Sequence, residues 1–138
     1  METLKITKTK LAILMIIGIL VISHISYANA YKSITNRGKG VTVDARPVQL
    51  AKGKQIQFQV RINTHAVELD QDMVAVSELK DDEGKIYKPI NWQGSPPGGH
   101  HRKGVLEFPI LEGSPGSVAL IIRDIANVSK RVFEWKID

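Results

Sequence analysis

The run Gln55-Ile56-Gln57-Phe58-Gln59-Val60-Arg61-Ile62-Asn63 decides the fold class. Ile56, Phe58, Val60 and Ile62 alternate with polar residues, and a period of two places all four apolar side chains on one face of a strand. Burying each contributes about 1.5–3 kcal/mol, which makes this face a main part of the core. The other face carries three glutamines and leaves no role for covering helices. That pattern favours an antiparallel sheet with one solvated side.

Working outward, Val41 to Arg46 alternates in the same way, and Pro47 restricts that segment to an edge or a bend because it donates no ladder hydrogen bond. Tyr31 to Gly40 reads as an arm or first edge strand, and Ala51 to Lys54 as a turn. On the far side, Asn63-Thr64-His65 closes the central strand and Ala66 to Asp72 is a connection rich in carboxylates. Met73 to Leu79 reads as a strand. Asp81-Asp82-Glu83-Gly84 is a hairpin turn, with Gly84 supplying a positive φ, and Lys85 to Lys88 returns. Val105 to Ile110, Val118 to Ile122 and Val132 to Ile137 complete the set, the second apolar enough for a central position. About seven short strands with turn signals between them predict an all-β protein. The expected architecture is an immunoglobulin-like or cupredoxin-like antiparallel β-sandwich over residues 31–138.

Residues 1–30 are read apart from that domain. Lys5, Lys8 and Lys10 precede an apolar run from Leu11 to Ile22, and Ala28-Asn29-Ala30 is an A-x-A cleavage site, the layout of a signal peptide. The alternative is an uncleaved anchor. Ser23, His24 and Ser26 interrupt the apolar run before it reaches the roughly 20 residues a spanning helix needs. The expectation is therefore a secreted or periplasmic protein with no stable membrane span after cleavage. Cysteine is absent, which excludes a lipid-anchored lipoprotein, a disulfide framework and a thiolate-ligated blue-copper centre. Removing residues 1–30 takes away three lysines and one glutamate and lowers the formal charge from +5 to +3. The basic residues are scattered without interleaved aromatics, so no nucleic-acid partner is expected. Mild basicity suits a solvated surface or weak attraction to anionic envelope polymers.

The most informative stretch for function is Gln93-Gly-Ser-Pro-Pro-Gly-Gly-His-His-Arg-Lys-Gly104. Its glycines and prolines specify a shaped loop, with His100 and His101 at its end, and no strand is expected there. His65, the other histidine of the domain, closes the central strand. Neutral imidazole is the commonest nitrogen ligand for copper and zinc. Three imidazoles, or two with Asp70 or Asp72, would give a site with an open position. Adjacent histidines in extended backbone point oppositely, and such a pair is equally at home as a solvated or hydrogen-bonded feature. Trp92, Pro96, Pro97 and Arg102 are the expected loop surface, with Trp92 read as packing under the loop or facing a ligand. Trp135 is read as core.

Other chemistries lack a pattern. Glu68, Asp70 and Asp72, or Asp81 to Glu83, carry oxygen ligands without EF-hand spacing. There is no Gly-x-Ser-x-Gly elbow, no pair of carboxylates singled out for glycoside hydrolysis, and no Gly-Lys-Ser/Thr phosphate loop. The chain is read as a non-enzyme.

Several motifs stand together: Phe58-x-Val60-x-Ile62-x-Thr64-His65, Leu69-Asp70-x-Asp72, Leu79-x-Asp81-x-x-Gly84-x-x-Tyr87-x-Pro89, Trp92-x-Gly94, Pro97-Gly98-Gly99-His100-His101-Arg102 and Gly104-Val105-Leu106-x-Phe108. This series resembles a family of small exported bacterial and archaeal sandwich-like domains without a characterised function. The resemblance implies a recurring module whose loop matters, and it supplies no activity or ligand residue. Two functions are carried forward. One is an exported binding module taking a transition metal, copper or zinc, or a small ligand through its histidine loop. The other is a structural or protein-interaction module of the cell envelope with no metal site.

Overall fold

The alternating run at Gln55 seeds a two-sheet sandwich. The computed structural model describes residues 31–137; the segment read as a signal peptide, 1–30, lies outside the described residues. Among the described residues there are nine strands: β1 (Ile34–Gly38), β2 (Val41–Gln49), β3 (Gln55–Thr64), β4 (Ser77–Asp81), β5 (Ile86–Tyr87), β6 (Asn91–Gly94), β7 (His101–Ile110), β8 (Ser117–Ile125) and β9 (Val128–Lys136). A single helical turn, α1 (Met73–Val76), precedes β4. The five-stranded sheet runs β1-β2-β3-β7-β6 and the four-stranded sheet β5-β4-β8-β9, with every pairing antiparallel.

The all-β sandwich expected from the alternation is present, with two strands more than the seven read from sequence. Both extras are edges of the larger sheet: β1 lies in the segment read as an arm or first edge strand, and β6 was not read as a strand. Edge strands need bury little, so their apolar alternation is weak and the sequence signal is lost.

Ile56, Phe58, Val60 and Ile62 are all buried, as their alternation requires. The Phe58 ring lies 5.1 Å from Trp135 of the opposite sheet and 5.9 Å, edge-on, from Phe108 of the neighbouring strand. These aromatic contacts join the sheets at their centre. β8 occupies an inner position of its sheet, where Val118, Leu120 and Ile122 are buried and Ala119 and Ile121 are partly covered. The expected hairpin at Asp81–Gly84 forms, with Gly84 at φ 90°. The corner after Ile125 is a two-residue hairpin in which Ala126 and Asn127 both take positive φ, matching the twist of the flanking strands.

Met73 to Val76 differs from the expected strand. Asp72 caps the helical turn, its Oδ1 accepting from Val74 N at 2.9 Å and Ala75 N at 3.4 Å. Satisfying the free amides of a first turn outweighs the β preference of two valines. No helix among the described residues is long and apolar enough to cross a membrane.

Candidate functional site

The register of β3 against β7 assembles the histidine end of the sandwich. Asn63 pairs with His101 and Arg61 with Lys103, so these side chains share the outer face. Past the strand, Thr64 Oγ1 donates to Gly40 O at 2.9 Å and accepts from Ala66 N at 3.0 Å. This local turn sets the chain direction through His65. The His65 and His101 rings meet edge to face, with centroids 5.6 Å apart. His101 Nδ1 lies 3.0 Å from Asn63 Oδ1. A carboxamide oxygen only accepts, so with Oδ1 as the partner Nδ1 is the donor in this contact, and Nε2 is the ring nitrogen it does not use.

His100 enters differently. Its carbonyl accepts from Thr64 N at 3.0 Å, extending the ladder by one step, and its imidazole is exposed. Asp70 is exposed, and its field, with that of Asp72, acts on Arg102. The structure therefore brings together two of the expected ligands, His65 and His101. Among the described residues, no group of three or more His, Cys, Asp or Glu side chains is arranged to hold a metal ion.

The stretch expected to be one long loop is shorter. Gln93 and Gly94 belong to β6, His101 to Gly104 belong to β7, and only residues 95–100 are irregular. The missing apolar period has a cause. The inward positions are filled by Arg102 and Gly104, and the Trp92 ring covers the glycines. A Cβ on Gly104 would lie 2.7 Å from Trp92 Cζ2 and 2.6 Å from Gln93 O. One on Gly94 would overlap Lys103 O. Two facing glycines roofed by a tryptophan make a strand pair that carries no hydrophobic alternation.

Arg102 was expected on the loop surface and is instead buried, at 2% exposure. Its position has the same parity as Leu106 and Phe108, which turns it inward. Nη1 donates to Leu69 O at 3.2 Å and Gln71 O at 2.6 Å, and Nη2 donates to Ser95 O at 3.2 Å. Trp92 Nε1 donates to the same Ser95 carbonyl at 2.9 Å, with the guanidinium 5.9 Å from its ring. Burial pushes the Arg102 pKa down, and the Asp72 and Asp70 charges partly oppose this. The loop is further clamped by Leu69 N to Gly99 O at 2.9 Å and Gly98 N to Leu69 O at 2.8 Å. Gly98 and Gly99 both have positive φ, which explains the glycine pair. Trp92 is half-buried in its packing role, and Pro96 and Pro97 are exposed on the held loop.

Sequence reasoning passed over Asn63, Arg61 and Lys103. The alternation of β3 already placed Asn63 and Arg61 on its polar face, but their neighbours on β7 depend on a pairing between segments far apart in sequence. No protein-family model, curated protein or solved structure matches the chain. Fold and site together define a small antiparallel sandwich with an imidazole pair at one end and a braced loop beside it.

Proposed function

We propose that this protein is an exported, non-catalytic binding module, on an immunoglobulin-like or cupredoxin-like scaffold, that takes Cu(II) or Zn(II) through His65 and His101. The observation carrying this reading is the 5.6 Å approach of the two rings with His101 Nδ1 held by Asn63. An imidazole whose second nitrogen is engaged by a carbonyl-type oxygen is fixed in the tautomer and orientation a metal ligand needs. Two imidazoles leave further coordination positions to solvent or to a second ligand. Neither His100 nor Asp70 takes part.

Titration of the metal-free domain with Cu(II) and Zn(II), followed by calorimetry and by the nitrogen hyperfine pattern of copper, tests this. One saturable site is expected, tighter for copper, as the stability order of divalent ions on nitrogen ligands requires. His65→Ala and His101→Ala abolish it, while His100→Ala and Asp70→Asn leave it unchanged. Binding that survives loss of both His65 and His101 sinks the reading.

A second reading, a protein-contact module of the envelope, draws on the exposure of Pro96 and Pro97 on a loop fixed from behind. A rigid apolar contact surface loses little entropy on binding. It predicts that a partner retained from envelope extracts is released by replacing both prolines with alanine, with metal binding unaffected.

A further inference from the structure

Next to the imidazole pair, the outer face of the five-stranded sheet carries an arrangement that fold stability does not account for. Arg61 and Lys103 sit directly opposite one another on adjacent strands, on the same solvent face. Like charges in this relation repel, although Arg61 also has Asp44 opposite it on its other side. Among the described residues the ion pairs are Lys85–Glu112, Lys88–Glu78 and Arg123–Glu78, and neither Arg61 nor Lys103 takes part in one. Both are exposed. They line an open depression of about 490 Å³ together with Asn63, Ser95, His101 and Arg102. No carboxylate is in that lining.

The charge around it has a direction. Asp44 pairs with Arg61 from the other side, and its carboxylate is engaged by the Thr35 hydroxyl. Glu107, further along β7, is occupied by three amides: Gln57 and Gln93 donate to Oε1 at 3.0 and 3.2 Å, and Asn91 donates to Oε2 at 3.1 Å. The donors to both carboxylates are neutral, so Asp44 and Glu107 keep their charge, while neither Arg61 nor Lys103 forms an ion pair among the described residues and both face water. Asn63 spends its Oδ1 on His101, which leaves its amide N–H groups for the depression.

From this geometry we infer an oxyanion site: Arg61, Lys103 and the Asn63 amide receive a phosphate or sulfate group, free or carried on an anionic polymer. A guanidinium offers a forked pair of donors, an ammonium adds a mobile point charge, and the bound anion removes the repulsion between them. The site does not depend on a bound metal. His101 lines this depression and also meets His65, so the two proposed sites share one residue.

The test uses the full domain in chelator-containing, low-salt buffer. Inorganic phosphate, inorganic sulfate and polyphosphate are titrated while backbone amide shifts are followed by NMR. Shifts confined to Arg61, Asn63, Ser95 and Lys103, weakening as salt is raised, are expected. Arg61→Glu and Lys103→Glu each weaken binding roughly tenfold or more, whereas Lys130→Glu, the same charge change on the other sheet, has little effect. Saturation by phosphate or sulfate alone identifies a free oxyanion as ligand; saturation by polyphosphate alone identifies a polymer-borne group. Absence of binding by all three probes, or an equal loss in Lys130→Glu, overturns the inference. His65→Ala separates the two proposals, because it removes copper binding and leaves anion binding intact.

Discussion

Arg102 and Arg131 are built alike and serve different ends. Both are buried, at 2% and 0% exposure, and among the described residues neither is ion-paired with a carboxylate. Each spends its two terminal nitrogens on oxygen acceptors, and in each Nε is buried with no partner among the described residues. Arg131 donates from Nη1 to Asn36 Oδ1 at 2.9 Å and from Nη2 to Gly38 O at 3.0 Å and Ile125 O at 3.4 Å. It thereby ties edge strand β1 to the β8–β9 hairpin and closes one side of the sandwich. Arg102 ties the 69–71 connection to Ser95 and so sets the loop beside the imidazole pair. Burial lowers the pKa of both, and only at Arg102 do nearby carboxylate charges push back. The lesson is that a buried guanidinium marks irregular backbone in need of donors. Whether it also marks a site depends on what the held backbone presents to solvent.

Breaking both pins gives the largest effects. Arg102→Ala and Arg131→Ala each leave a cavity and remove donors from irregular backbone. In the first, Gln71 O loses its donor, while Leu69 O and Ser95 O keep Gly98 N and Trp92 Nε1. In the second, Asn36 Oδ1, Gly38 O and Ile125 O lose the guanidinium. Each is expected to lower unfolding free energy by about 2–4 kcal/mol in urea denaturation. The comparison sharpens below the melting range. There Arg102→Ala also weakens copper binding, while Arg131→Ala leaves it at the wild-type level.

Gly104→Ala is next. Its Cβ meets backbone on one side and Trp92 on the other, and overpacking of this kind costs about 1–3 kcal/mol. A matched change at Gly53, where nothing lies within 4 Å but φ is +70°, tests backbone strain without crowding. A larger loss at Gly104 than at Gly53 shows that the close approach of the facing backbone and Trp92, rather than glycine's conformational freedom, is what the β6–β7 pair requires.

The smallest effect contrasts the two arginines with a conventional charged contact. Glu78 is nearly buried and accepts from Arg123 and Lys88. The hydrogen bond from Arg123, first, and then that from Lys88 hold its pKa below the ordinary 4.5, against the opposing push of burial. A carboxyl with a depressed folded-state pKa stabilises fully above its unfolded value, and that contribution fades as pH falls through the lowered one. Glu78→Gln should therefore flatten the fall in melting temperature between neutral pH and pH about 3. An unchanged slope would show that this ion pair contributes nothing to acid sensitivity.

Much of the sandwich was legible. The β3 alternation named four core residues, the Asp81–Gly84 turn placed a hairpin, and the apolar run of β8 placed an inner strand. The errors share a cause, since local pattern cannot see the other side of a contact. Met73 to Val76 reads as a strand until Asp72 supplies a cap. Arg102 reads as surface because charge is usually solvated, although it keeps step with its buried neighbours Leu106 and Phe108.

Residue order alone determined which faces are apolar, where turns must fall, and that glycine, proline and histidine gather in one segment. Those properties follow from side-chain alternation and from the allowed backbone angles of single residues, both local quantities. That His65 meets His101, that Asn63 holds the latter's Nδ1, and that Arg61 faces Lys103 were decided only in three dimensions. They depend on the register of two strands distant in the chain, and a one-residue slip would turn every one of these side chains to the opposite face.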